Sequence, residues 1–276
     1  MKINANQLAQ KLRSGLSPVY LITGDEPLLV IESANAIRSA AAQAGFAERI
    51  VFHVEAGFDW QELSMQASAQ SLFAQQRLLD LRLPTGKPGK VGSDVLSQLS
   101  KREHSDDILL ITCGKLDRGS QRAKWVTNLE KAGLHVQCWP IKISELPAWL
   151  DQRMRSKGLQ AEPIAVRRLA EQVEGNLLAA AQEVDKLLLL HGEGPINLQQ
   201  VEQSVADSAR YDVFTLVDAA LAGDAIRAQR MSLSLQKEDA PLAVVAWALT
   251  KEVRVLSQLR TAMDRGASLR SEEHTS

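Results

Sequence analysis

Cysteine is nearly absent from this sequence: there are two in 276 residues, Cys113 and Cys138. Neither has a CxxC spacing or a nearby histidine pair, so the sequence offers no metal site. Both close short apolar runs, where a buried free thiol is the ordinary outcome. Aromatic residues make up only 4%. Ala, Leu and Gln are abundant instead, and their unbranched side chains lose little freedom in helices. An excess of positive charge is also missing: 32 Lys and Arg face 33 Asp and Glu, a formal net charge of -1. A dedicated nucleic-acid binder carries a basic excess, so any DNA contact is local or shared with partners. No apolar run approaches the ~20 residues of a membrane span. The opening MKINANQLAQKL lacks the apolar stretch of a signal peptide. A cytoplasmic location with no membrane partner is the expectation.

What is present is an ordinary globular composition, 45% hydrophobic and 24% charged. The length suits one large domain or two to three small ones. Up to residue 140, short apolar β-branched runs recur at 18–23 (PVYLIT), 49–54 (RIVFHV), 77–83 (RLLDLRL), 107–112 (DILLIT) and 134–139 (LHVQCW). Helical patterns separate them at 27–44, 60–70, 93–102 and 120–131. In the second of these, Leu63, Met65 and Ala67 are available for packing. This alternation predicts an α/β domain, a five-stranded parallel sheet with helices on both faces. After Pro140 the strands stop. Helical patterns at 144–156, 163–174, 177–191 and 198–206, punctuated by Gly158, Gly175 and the Gly192–Pro195 turn, predict a small all-α domain over 141–208. A third helical stretch, 212–221, 224–235 and 241–260, follows, with Asp224 placed as an N-cap. Two and a half helices make a thin core, so 209–269 reads as an incomplete domain. The last seven residues, 270–276, back-translate as AGA TCG GAA GAG CAC ACG TCT, a common sequencing-adapter oligonucleotide. They read as a scar to be left out of fold reasoning.

The turn after the first strand, Gly24-Asp25-Glu26-Pro27-Leu28-Leu29, has the strand–turn–helix context of a phosphate loop but not its chemistry. A working GxxxxGK[ST] loop needs a Lys for the β/γ oxygens and a hydroxyl for Mg²⁺. No Lys lies between Arg13 and Lys87. Asp25 and Glu26 put negative charge where phosphates would sit, and Pro27 supplies no amide. The plainer reading is a helix start with acids complementing the dipole. Asp106 and Asp107 precede their strand rather than follow it, so a Walker-B pattern is missing too. Nucleotide hydrolysis is not expected, while weak binding stays open. No Ser-His-Asp, Cys-His or paired-carboxylate arrangement stands out. His53, His104, His135, His191 and His274 are scattered and read as structural or exposed. The clustered carboxylates of two-metal phosphoryl transfer are likewise not identifiable. Lys87, Lys90, Lys101, Arg102, Lys115, Arg118, Arg122 and Lys124 gather on loops and helices of the first domain. They read equally well as a local face for DNA phosphates and as solvated surface. Lys115-Leu116-Asp117 lies where a parallel sheet places ligands, yet without a phosphate loop it serves better as a turn or a neighbour contact. Glu183 and Lys186 suit an i,i+3 pair.

Several motifs coincide in order: Tyr20-Leu21-Ile22-Thr23-Gly24-Asp25-Glu26-Pro27-Leu28-Leu29, Ser71-Leu72-Phe73-Ala74, Arg77-Leu78-Leu79-Asp80-Leu81, Lys115-Leu116-Asp117, the run 174–187 (EGNLLAAAQEVDKL) and 212–219 (DVFTLVDA). The series resembles the delta subunit of the bacterial DNA polymerase III clamp loader, over residues 1 to about 260. The resemblance implies an AAA+-like α/β domain over 1–140, a helical lid over 141–208 and a helical collar from 209. It implies a subunit that binds the beta sliding clamp and opens its ring, partnered by gamma/tau and delta-prime subunits and by primer-template DNA. No cofactor of its own and no ATP hydrolysis are implied, and nucleotidyl transfer belongs to the polymerase complex. Leu72 and Phe73, beside Ser71, match the positions that enter the clamp's hydrophobic pocket; periodicity alone reads them as core residues at a strand entrance. The family motif often has Gln three residues before the Ser, where this sequence has Ser68. Two other readings compete: an active AAA+ or RecA-like ATPase, and a helical interaction scaffold.

Overall fold

The computed structural model describes residues 1–68, 76–102, 107–205 and 209–265. The chain forms two compact units, Met1–Ile141 and Lys142–Ser276.

The first unit is built on β1 (Lys2–Asn4), α1 (Leu8–Arg13), β2 (Val19–Gly24), α2 (Pro27–Gln43), β3 (Glu48–His53), α3 (Trp60–Ser68), β4 (Arg77–Leu83), α4 (Gly89–Leu99), β5 (Asp107–Cys113), α5 (Arg118–Gln121), α6 (Lys124–Ala132) and β6 (Leu134–Cys138). The sheet is parallel throughout, in the order β1-β6-β2-β5-β4-β3. Among the described residues it has six strands, not the five read from the sequence. β1 is only three residues long, and its pairing with β6 is a tertiary event that composition does not announce. Every residue of β2 is buried, as expected for a central parallel strand covered on both faces. On one face Ile37 and Ala41 of α2 pack with Leu8, Tyr20, Ile22, Leu110 and Val136. On the other, Leu63 of α3, Leu96 of α4 and Trp125 and Leu129 of α6 pack with Leu21, Leu79, Leu81 and Ile111.

Three local expectations are corrected. Met65 does not pack; it is 64% exposed. Leu63 and Ala67 share a helix face at i,i+4, which puts position 65 on the opposite side. Helix α4 starts at Gly89 rather than Ser93 and takes in Gly92, where a Cβ would overlap the Trp60 ring. The single helix expected over 120–131 is two, since Ala123 is extended (φ -61°, ψ 146°) and separates α5 from α6.

The second unit holds α7 (Leu146–Ser156), β7 (Leu159–Ala161), α8 (Pro163–Gln172), α9 (Leu177–His191), β8 (Gly194–Ile196), α10 (Leu198–Ser204), α11 (Val213–Leu221), α12 (Ala225–Lys237) and α13 (Leu242–Asp264). Strands do not stop at Pro140: β7 and β8 pair as a short parallel ribbon. Leu150, Leu169, Val184 and Leu187 form buried faces of α7, α8 and α9. Asp224 caps α12 as expected, accepting from Arg227 N at 3.1 Å. A further apolar cluster joins Tyr211, Leu216, Ala219, Met231 and Leu235. Glu174, buried before α9, accepts from Arg227 Nε and Nη2 at 3.1 and 2.7 Å. Gly175 follows in the left-handed region (φ 74°), and a Cβ there would overlap the Arg210 carbonyl. The EGN turn of the sequence is therefore a packing joint. Among the described residues no helix is long and apolar enough to cross a membrane.

Candidate functional site

The sheet reverses its order at β2, which lies between β6 and β5 while the chain moves on to the far edge at β3. In open parallel sheets the ligand crevice lies at the carboxyl end of such a strand, here at Gly24–Pro27. Gly24 is required by strand packing: a Cβ there would overlap the carbonyl of Cys138, its register partner on β6. The amide of Glu26 donates to the same Cys138 carbonyl at 3.3 Å. Asp25 reaches across to β5's exit loop, where Lys115 Nζ meets its Oδ2 at 2.6 Å. Lys115 also lies 6.0 Å from the centroid of the Trp139 ring. Glu26 turns inward as the N-cap of α2, accepting from Leu28 N at 3.3 Å. Burial pushes the Glu26 carboxyl up; the Leu28 amide opposes this and the charge of Asp25 adds to it. The helix N-terminus that holds phosphate in nucleotide-binding folds is thus capped by the chain's own carboxylate. The nearest lysine is spent on a second one.

Behind the turn, His135 is buried, with Nε2 2.7 Å from Thr23 Oγ1 and Nδ1 2.8 Å from Glu130 Oε1. Desolvation holds its pKa below the usual imidazole value, and Glu130 pulls it part of the way back. Burial pushes the Cys113 and Cys138 thiols up to about 12 and about 11, so both stay protonated and unreactive at neutral pH. Among the described residues no group of three or more His, Cys, Asp or Glu could hold a metal ion.

The basic residues that the sequence groups at this end of the sheet are exposed. Lys87 sits in the β4–α4 loop, Lys90 in the first turn of α4, Arg118 at the start of α5, Arg122 at its C-cap and Lys124 at the start of α6. The β4 and β5 exit loops touch: Gly114 N donates to Pro84 O at 3.2 Å, and Leu116 packs over Gly86. Asp117 caps α5, and the Ser120 amide, with a smaller pull from Lys87, holds its carboxyl below the usual range. Lys115, grouped with these by sequence, is drawn off toward Asp25.

Ser71, Leu72 and Phe73 lie outside the described residues. Arginines tie the described residues on either side. Arg77 opens β4 buried, with Nε and Nη2 on the two oxygens of Asp107 at 2.8 and 2.9 Å. Its Nη1 donates to Gln66 O of α3 at 3.3 Å, and Arg102 Nη1 donates to Ala67 O at 2.7 Å. Sequence reading missed this cluster, since its members are separated by 11 to 35 positions.

A family model for the delta subunit of DNA polymerase III matches residues 20–139, and one described as a middle domain matches 142–203. DNA polymerase III subunit delta of Escherichia coli K12 is 33% identical over 260 residues, covering 94% of this chain and 76% of the relative. The chain belongs to the DNA polymerase III delta subunit family. The Haemophilus influenzae subunit delta is 30% identical over 96% of this chain and 77% of its own length. A solved Bacillus subtilis DNA clamp loader delta protein superposes with a TM-score of 0.58 at 19% identity, covering 97% of this chain and 81% of that one. That likeness supports the fold, a parallel sheet followed by helices. Family membership makes the chain a clamp-loader component of DNA replication.

Proposed function

We propose that this delta-family chain is the part of the loader that binds the beta sliding clamp and opens one interface of its ring, while nucleotide turnover belongs to neighbouring subunits. The observation that carries this reading is the turn at Gly24–Pro27. Asp25 engages Lys115, and Glu26 caps the helix that would otherwise receive a phosphate. Such a turn suits a subunit moved by its neighbours better than one with its own ATP cycle, and it disfavours the active-ATPase reading. Residues 1–140 carry the clamp contact through Leu72 and Phe73 beside Ser71. Residues 141–208 form the lid, and 209–269 belong to the collar that meets gamma/tau and delta-prime, in the cytoplasm.

The test is a clamp ring carrying a fluorophore pair across one interface, titrated with this chain alone. Binding with separation of the pair is expected, without ATP turnover. Failure of the folded chain to bind the ring sinks the reading, and steady ATP turnover favours the ATPase alternative.

Lys87, Lys90, Arg118, Arg122 and Lys124 are proposed to meet the phosphate backbone of primer-template DNA in the assembled loader. Lys90 and Lys124 stand in the first turns of α4 and α6, where a cation opposes the helix dipole by about 0.3–1 kcal/mol. A phosphate offsets that cost. Lys87→Glu with Lys90→Glu is expected to weaken DNA binding by the loader and to lower the slope of log affinity against log salt by about 0.9 per lost contact. An unchanged slope identifies these residues as solvated surface.

A further inference from the structure

Strand β3 closes one side of the large sheet, and among the described residues no strand lies beyond it. Its ladder to β4 runs unbroken from the Glu48–Arg77 pair to the His53–Arg82 pair, and Val54 N then donates to Arg82 O at 2.9 Å. Along a parallel strand, successive residues turn their backbone groups to opposite sides. The bond from Val54 fixes the phase: Glu48, Ile50, Phe52 and Val54 face β4, so the amides and carbonyls of Arg49, Val51 and His53 point outward. All three residues are exposed, Val51 to 38%. Among the described residues no hydrogen bond reaches these outward groups. Free edges are ordinarily blunted by lysine, proline, a bulge or a very short strand. β3, with the sequence ERIVFH and an unbroken register, has none of these. The side chains of Arg49, Val51 and His53 share the sheet face of Leu78, Asp80 and Arg82. Positive charge prevails there. Arg38 and Arg49 share the one carboxylate of Asp80, and Arg82 has no ion-pair partner among the described residues. The acid of β3, Glu48, lies on the opposite face with Ile50 and Phe52.

We infer that β3 is a docking edge for an extended, acidic segment of a partner protein, which adds to the sheet as one further strand. Its backbone pairs with the outward groups of Arg49, Val51 and His53, and this supplies the affinity common to strand addition. Carboxylates on alternate residues of the segment meet Arg49, His53 and Arg82, while Val51 between them offers a β-branched cross-strand contact. A nucleic acid would use the charge of this face but not its row of alternating donors and acceptors, so the observations favour a peptide.

The experiment titrates the whole chain into a labelled peptide of alternating Val and Glu, read by fluorescence anisotropy. A Val-Lys counterpart of equal length and a proline-interrupted Val-Glu peptide are the controls. Saturable binding of the Val-Glu peptide is expected, about tenfold or more tighter than either control. Amide-resolved hydrogen exchange should show Arg49, Val51 and His53 fast in the free chain and slowed by the peptide, with Ile50, Phe52 and Val54 slow in both. Val51→Pro removes an outward amide and no ladder bond, as an edge strand permits. It should weaken the peptide about tenfold while melting stays within about 3 °C of wild type. Arg82→Glu tests the same edge if proline disturbs the strand: affinity should fall for the Val-Glu peptide and rise for the Val-Lys one. Equal binding of the Val-Glu and Val-Lys peptides, or outward amides that the peptide leaves fast, overturns the inference. Outward amides already slow in the free chain and released by dilution would give the edge to a second copy and overturn it. A single-stranded oligonucleotide that binds more tightly than the peptide, and is likewise weakened by Arg82→Glu, would give the face to nucleic acid and overturn it too.

Discussion

Replacing Leu72 and Phe73 together by alanine is expected to abolish clamp binding while leaving circular dichroism and melting temperature nearly unchanged. Two apolar anchors seated in a desolvated pocket each contribute roughly 2–4 kcal/mol in interfaces of this kind. Losing both corresponds to roughly a thousandfold or more in affinity, enough to remove a measurable complex at micromolar concentrations. The competing view places both side chains in the core at the entrance to β4. Truncation would then cost about 3–5 kcal/mol for Phe and about 2–5 for Leu, and melting would fall by more than 10 °C. The flanking elements contribute their own buried residues, Leu63 and Ala67 on α3 and Leu78, Leu79 and Leu81 on β4. The melt separates the two readings. Lost binding with an intact melt supports the docking role, and a large drop in melting temperature assigns the pair to the core.

The parts of the fold that could be read from the sequence are those where one element announces itself. RLLDLRL coincides with β4 from end to end, and LLAAAQEVDKLLLLH coincides with α9, because each is a long apolar pattern with a clear stop. The pieces that escaped depend on a partner. β1 is Lys-Ile-Asn, with one buried side chain and no pattern of its own. β7 and β8 are three residues each, and β8 contains both Gly and Pro. The pattern over 93–102 omits the first turn of α4, which holds Gly89 and Gly92; Gly92 admits the Trp60 ring, a partner the local sequence does not show. The same division applies to the site. Absence of a phosphate-loop lysine is a local fact and was legible. That Lys115 turns to Asp25, 90 positions away, and that Arg77 and Arg102 donate to the carbonyls of Gln66 and Ala67 on α3, are facts of tertiary packing. Charge at those positions was visible, but its destination was not.

Asp80→Ala is the substitution expected to cost the fold most. Asp80 lies in the middle of β4, fully buried, on the face covered by α2. Arg38 Nε of α2 reaches its Oδ2 at 2.9 Å, and Arg49 of β3 reaches the same atom through Nε and Nη2 at 2.9 and 2.6 Å. One carboxylate thus ties a helix and an edge strand to the strand between them. Removing it strips Arg38 Nε and the Arg49 guanidinium of their acceptor, while Arg38 Nη1 keeps Asn35 Oδ1 at 2.8 Å. Each partly exposed arginine recovers some solvation, so the cost falls below that of a fully buried pair, at about 2–4 kcal/mol. For a unit of this size that lowers the melting temperature by roughly 5–15 °C. Asp80→Asn should recover little. Its carbonyl can face the arginines, but its amide then occupies the place of Oδ1, which has no hydrogen-bond partner among the described residues, and a buried unsatisfied donor carries its own penalty. Replacing all three residues, Asp80→Leu with Arg38→Met and Arg49→Met, should restore most of the loss, since a buried ion pair exchanged for well-packed apolar groups is often neutral. Thermal melts of the three variants decide the point. If Asp80→Ala melts with wild type, the two arginines are ordinary surface partners and the tie between α2, β3 and β4 is apolar packing alone.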